Sequence, residues 1–270
     1  AWIRFSSDGE PVSNRELLLA AIQATEGKTF IDLHCEETPR SAERVTRDLG
    51  FGEPMMREAD LIRLAISVLA DIGHGKLHFQ HVSMAESVEL IADAKHRSLT
   101  VTAEVAPHHL LLTREDIPQR AGGPDANWKM NPPLRARDDM LAVRRGLADG
   151  TIDFLATDHA PHTPEEKARP WNEAPFGVIG LETAFGAAMT LVHAGELTFA
   201  RLIEAMAPST DGGELPNITV VDPNAEWTVD PDKFYSKSRN CPFAGMTFKG
   251  KPVYTIAGGK LVMAEGEVLF

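Results

Sequence analysis

A chain of 270 residues, 43% hydrophobic and 24% charged, can bury a substantial core as one large domain with room for an appendage. Its formal net charge of −12 disfavours a nucleic acid or an anionic membrane as partner, because no basic patch is available for phosphates. An anionic small molecule is still allowed, since it needs only a few local positive charges or a metal.

The first residues, AWIRFSSDGEPVSN, read as a strand running into a turn, without the basic start and apolar core of a secretory signal. Ser13-Asn14-Arg15-Glu16 is a capping-box pattern that places a helix start before LLLAAIQA. Thr29–Leu33 is the next predicted strand, ending at His34-Cys35-Glu36-Glu37, and Glu58–Ala70 carries leucine and isoleucine at helical spacing. Leu77–Gln80 is a strand that ends at His81, and Ser83-Met84-Ala85-Glu86 is a second capping-box pattern. Leu99–Glu104 is a strand that ends near Pro107-His108-His109. After a polar insertion, Asp139–Leu147 reads as a helix and Ile152–Ala156 as the strand leading into Thr157-Asp158-His159-Ala160-Pro161-His162.

Apolar runs alternating with amphipathic segments argue for parallel β/α units. From about Thr219 the pattern changes to short antiparallel strands, with Gly258-Gly259 as a hairpin turn. The expected organisation is a β/α body over residues 1–215 and a small, β-sandwich-like appendage over 216–270, with a return loop to the body. No run approaches the roughly 20 apolar residues of a membrane helix. Cys35 and Cys241 form no disulfide framework, which suggests a reducing, cytoplasmic compartment.

Four strand ends carry His34, His81, His108-His109 and Asp158. For one histidine at a strand end, a hydrogen-bonded structural role is the simpler reading; three such ends in succession reverse it. In a (β/α)₈ barrel the C-terminal ends of the strands converge on one mouth. Imidazoles and a carboxylate meeting there make a site for zinc or a similar divalent ion.

The segments HCEE (His34–Glu37), HVS (His81–Ser83), TAEVAPHHLLLT (Thr102–Thr113), KMNPPLR (Lys129–Arg135), ATDHAPH (Ala156–His162) and SKSRNCPFAG (Ser236–Gly245) together resemble the dihydroorotase family, in the family's order and over nearly the whole chain. The resemblance implies an α/β fold, a TIM-type amidohydrolase barrel with a two-zinc centre. It also implies reversible closure of N-carbamoyl-L-aspartate to L-dihydroorotate in pyrimidine synthesis. By the same resemblance His34, His81 and Asp158 are metal ligands, and Asp158 also moves the proton. Asp8 of FSSDG is implied as the bridging carboxylate, with Ser7 replacing the first aspartate of the family's pair. Asn131, His162, Phe176 and Gly177 match positions that touch the substrate. A homo-oligomer, also in association with aspartate transcarbamoylase, is the implied assembly.

His108 and His109 are expected to be structural rather than ligands, and Cys35 to be a buried thiol that binds no metal. His159 is expected to support its loop. Glu36, Glu37, Glu165 and Glu166 are expected to be solvated or helix-capping. Two features depart from the family. No H-x-H-x-R pair, which the family carries on its first barrel strand, occurs in these residues, so only about the C-terminal half to two-thirds of a barrel is expected. Pro208–Pro216 passes directly to Asn217-Ile218, roughly a dozen residues short of the family's glycine-rich connection. Two alternatives follow. One is a hydantoinase- or allantoinase-like cyclic amidohydrolase; the other is an inactive subunit that scaffolds aspartate transcarbamoylase.

Overall fold

A computed structural model describes residues 4–36, 56–121, 123–207 and 217–269. Two compact units emerge, Ala1–Ile117 with Met130–Ala156, and Pro118–Lys129 with Thr157–Phe270. The Pro208–Pro216 junction and Glu37 lie outside the described residues.

The first unit is built on a parallel sheet of five strands: β1 (Phe5–Ser6), β2 (Ile31–His34), β3 (Leu77–Gln80), β4 (Val101–Val105) and, numbered in chain order, β7 (Phe154–Leu155), adjacent in that order. Parallel neighbours need crossover connections. The described crossover helices are α1 (Arg15–Ala24), α2 (Glu58–Ile72), α3 (Ala85–His96), the short α4 (Pro107–Leu111) and α5 (Arg137–Asp149). Leu77, Phe79, Ala103 and Val105 are fully buried in the sheet. On α2, Leu61, Ile62, Ala65, Val68 and Leu69 recur at helical spacing and are likewise buried. Each large apolar side chain so buried contributes about 1.5–3 kcal/mol. Helix α2 stops at Gly73 (φ 74°) and α5 at Gly150 (φ 86°), where the left-handed backbone favours glycine.

Both expected capping boxes are shifted. The Asn14 side chain, one residue beyond the expected Ser13, accepts the Leu17 N–H at 2.8 Å. At α3 the cap position is Met84, whose thioether makes no side-chain cap bond, and the Ser83 hydroxyl donates to Glu58 instead. The strand expected over Ile152–Ala156 contracts to Phe154–Leu155, while the helix expected over Asp139–Leu147 extends to Arg137–Asp149. Among the described residues the sheet stays open and no closed barrel forms.

The second unit contains the two-stranded β5 (Gln119–Arg120) and β6 (Gly123–Pro124), and the helices α6 (Pro164–Lys167), α7 (Ala184–His193) and α8 (Phe199–Met206). Its four-stranded sheet runs β11 (Glu267–Val268), β10 (Lys260–Ala264), β9 (Thr247–Ala257), β8 (Ile218–Thr228), all antiparallel. Gly258 and Gly259 (φ 56° and 77°) close the β9–β10 hairpin as expected. Helix α7 lies close on this sheet through Gly186, where a Cβ would stand 2.9 Å from Trp227 and 3.1 Å from Phe248. Among the described residues no helix is long and apolar enough to cross a membrane.

Candidate active site

The ends of β1, β2 and β3 bring Asp8, His34 and His81 together, with one ligand atom from each lying within 4.8 Å of the others. His34 Nδ1 is 2.8 Å from His81 Nε2, and Asp8 Oδ1 is 3.4 Å from the first and 3.8 Å from the second. Two nitrogen atoms this close need a proton or a cation between them, since two lone pairs repel. Donors bound at about 2.0–2.1 Å around a tetrahedral zinc lie roughly 3.4 Å apart, so the triangle fits one ion. Both imidazoles are buried, while the Asp8 side chain is 63% exposed, which opens the cluster on that side. Hydrogen bonding with His81 holds the Asp8 carboxyl below its ordinary pKa, against partial burial.

The backbone around the triangle is fixed by its neighbours. Ser7 accepts the His34 N–H through Oγ at 3.2 Å, and Ser6 Oγ accepts the Asp8 N–H at 3.0 Å. His81 follows β3 with φ 36°, in the left-handed region that a non-glycine residue occupies only when its surroundings hold it there. Glu58, 1% exposed at the start of α2, is one such holder. Its carboxylate accepts the N–H of Ser83 at 3.0 Å, the N–H of Met84 at 3.1 Å and the Ser83 hydroxyl. Arg135 stands 3.5 Å from Glu58 and donates to Ser83 Oγ at 3.0 Å.

Glu36 corrects an expectation. It is 5% exposed rather than solvated, and its Oε2 lies 3.1 Å from His34 Nε2. Nothing in the local sequence distinguishes Glu36 from a surface glutamate; the neighbouring imidazole buries it.

In the second unit Asp158 is half-buried and, like His81, left-handed at φ 48° just past its strand. His159 Nδ1 accepts the Gly180 N–H at 3.2 Å and so supports the loop. His162, expected to donate to a substrate, donates through Nε2 to the Phe176 carbonyl at 2.7 Å, and its Nδ1 lies 3.4 Å from Glu166. Glu166 also caps α6, accepting the Thr163 N–H at 3.0 Å. Gly177 (φ 127°) is packed so closely that a Cβ would meet Ala160 at 2.6 Å and His162 at 3.1 Å. His162, Arg120, Arg169, Trp171 and Arg239 are among the residues around a cavity of about 510 Å³ within this unit. Asn131, in the first unit, is half-buried.

His108 and His109 are buried and meet edge-to-face with ring centroids 4.4 Å apart, and His109 Nε2 donates to the Pro132 carbonyl at 3.0 Å. Burial pushes His108 down to about 3 and His109 well below its ordinary value, so both are neutral. The Cys35 thiol is buried and pushed up in pKa by desolvation, and it lies outside the ligand cluster.

No protein-family model matches the chain. It is 42% identical over 283 residues to a dihydroorotase of Geobacillus sp. (strain WCH70), covering 97% of this chain and 65% of that protein. It is 44% identical over 284 residues to a dihydroorotase of Pelotomaculum thermopropionicum, with the same two coverages of 97% and 65%. Among solved structures, L-hydantoinase (dihydropyrimidinase) from Arthrobacter aurescens superimposes with a TM-score of 0.82 at 25% identity, over 99% of this chain and 65% of that one. Dihydropyrimidinase from Brevibacillus agri NCHU1002 also gives 0.82, at 20% identity, over 99% of this chain and 64% of that one. The chain therefore spans 65% of the length of these curated relatives. Its open parallel sheet of five strands fits part of a β/α barrel.

Proposed function

We propose that the protein is a metal-dependent cyclic amidohydrolase interconverting N-carbamoyl-L-aspartate and L-dihydroorotate, on the premise that a chain 42–44% identical to dihydroorotases over 65% of their length is of their family. The observation that carries the proposal is the triangle of Asp8, His34 and His81, whose edges of 2.8, 3.4 and 3.8 Å suit a single divalent ion. Asp8, His34, His81 and Asp158 would hold the metal, two zinc ions in the complete site. When bound, such ions lower the pKa of a water molecule and polarise an amide carbonyl.

The chain's own residues do the rest. In the hydrolytic direction the Asp158 carboxylate takes the proton of the attacking water and delivers it to the departing ring nitrogen; ring closure reverses both transfers. Asn131 and His162 supply polar contacts to the substrate, and the backbone at Phe176-Gly177 faces its carboxylate. Residues 1–215 form the barrel portion and 216–270 the appendage in this proposal. A cytoplasmic location accords with two buried, unpaired cysteines. A homo-oligomer and an association with aspartate transcarbamoylase belong to the same proposal, and sizing the natural protein alone and with that enzyme tests them.

The hydantoinase-like alternative has the solved structures on its side, but at 20–25% identity these speak for the fold. A substrate panel on the metal-replete, full-length protein decides between them. Dihydroorotate and carbamoyl-aspartate should turn over, and hydantoin and allantoin should not. In the same assay Asp158→Asn should lose at least the roughly 10²–10⁴-fold that positioned acid–base catalysis supplies. His162→Ala should act mainly on KM. Turnover of hydantoin alone would overturn the assignment.

A further inference from the structure

Lysine is seldom buried, yet Lys129 and Lys167 are 6% and 7% exposed and are bonded into the same loop. Lys167 has three N–H donors and three carbonyl acceptors, those of Lys129 (3.2 Å), Pro175 (3.0 Å) and Gly177 (2.9 Å). Lys129 donates to the carbonyls of Trp171 (2.7 Å) and Ala174 (2.5 Å), and its ammonium sits 4.3 Å from the centre of the Phe176 ring. Asn240 adds a second donor to the Gly177 carbonyl at 3.0 Å, and His162 takes the carbonyl of Phe176. The carbonyls of Trp171, Ala174, Pro175, Phe176 and Gly177 thus all accept hydrogen bonds from side chains.

Stability alone is a poor explanation. Burying an ammonium against carbonyls rather than against an opposite charge carries a desolvation cost that offsets much of what its hydrogen bonds return. An ammonium does something a methionine cannot, which is to turn carbonyls towards itself. In a trans peptide the N–H points opposite to the C=O. With the Pro175 carbonyl on Lys167, the Phe176 N–H must face away from the ammonium, free to meet an anion.

We propose that Lys129 and Lys167 are positioning residues that draw the loop carbonyls inward and thereby present the Phe176 N–H to the substrate's carboxylate. The proposal rests on the dihydroorotase reading for the identity of the anion, but not for the ordering of the loop. The experiment compares full-length wild type, Lys167→Met and Lys129→Met in two measurements. Hydrogen exchange over residues 171–178 reads the loop, and steady-state kinetics with dihydroorotate read its effect.

Lys167→Met should exchange at least about ten-fold faster over 171–178, with other peptides unchanged. Its KM should rise about ten-fold, the size of one lost hydrogen bond, with kcat within about three-fold and metal content unchanged. Lys129→Met should shift both in the same direction, and it decides the matter if Lys167→Met does not fold. Unchanged exchange in a folded variant, or a fall in kcat at constant KM, would overturn the proposal. If wild type turns over no dihydroorotate, the substrate reading fails and the exchange comparison still decides whether the lysines order the loop.

Discussion

The turn that carries His81 and the loop that carries Phe176 and Gly177 are each tied down by a buried charge, but the charges are opposite and so tie opposite edges of the backbone. At the turn, Glu58 collects two N–H groups and a hydroxyl. At the loop, Lys167 collects three carbonyls. The surroundings also differ. Glu58 has Arg135 within 3.5 Å, whereas Lys167 has a second lysine beside it. Burial first, and then Lys129, push the pKa of Lys167 down to about 8. The acid clamp is therefore compensated by an opposite charge, and the basic clamp relies mainly on carbonyl dipoles.

The largest expected effect comes from breaking the compensated clamp. Glu58→Ala removes the charge that faces Arg135 and the acceptor of three donors, and should cost about 3–5 kcal/mol, read from urea unfolding followed by circular dichroism. Lys167→Met removes the charge itself and leaves only carbonyls behind, so about 1–3 kcal/mol is expected from the same experiment. A larger loss in the lysine variant than in the glutamate variant would reverse the comparison.

A smaller, sharper effect lies in pH. Folded Lys167 releases its proton near pH 8 and the unfolded side chain near 10.5. Between those values the unfolded state binds more protons, so stability rises with pH. The penalty of burying the charged amine is complete below about pH 8 and is relieved as pH approaches 10.5. Wild-type stability minus that of Lys167→Met should therefore increase across this window, measured by denaturant midpoints on either side of it. A flat difference would mean that Lys167 titrates normally.

The sequence made the scaffold of this contrast readable, but not the clamps. Leu77–Gln80 reads as a strand because a short apolar run is bounded by turns, and the structure agrees to the residue. The Gly258-Gly259 hairpin is equally local. His34 and His81 stand out because histidines at successive strand ends are chemically conspicuous, whereas Asp8 is legible only through the resemblance of FSSDG to a family segment. Ser83 misleads because its spacing to Glu86 fits a cap, while a glutamate 25 residues earlier takes its hydroxyl. Glu36, Lys129 and Lys167 look like surface residues until the chain brings them partners. For Lys167 those partners reach 38 residues away, a distance that no spacing rule covers.

If Asp8, His34 and His81 face one metal ion, zinc X-ray absorption on the full-length protein, wild type beside His34→Ala, reads that ion's neighbours. The wild-type spectrum should show only nitrogen and oxygen neighbours at about 2.0–2.1 Å with imidazole scattering, and His34→Ala should lose part of that scattering. A sulfur neighbour at about 2.3 Å, or a spectrum unchanged by the substitution, would contradict the account.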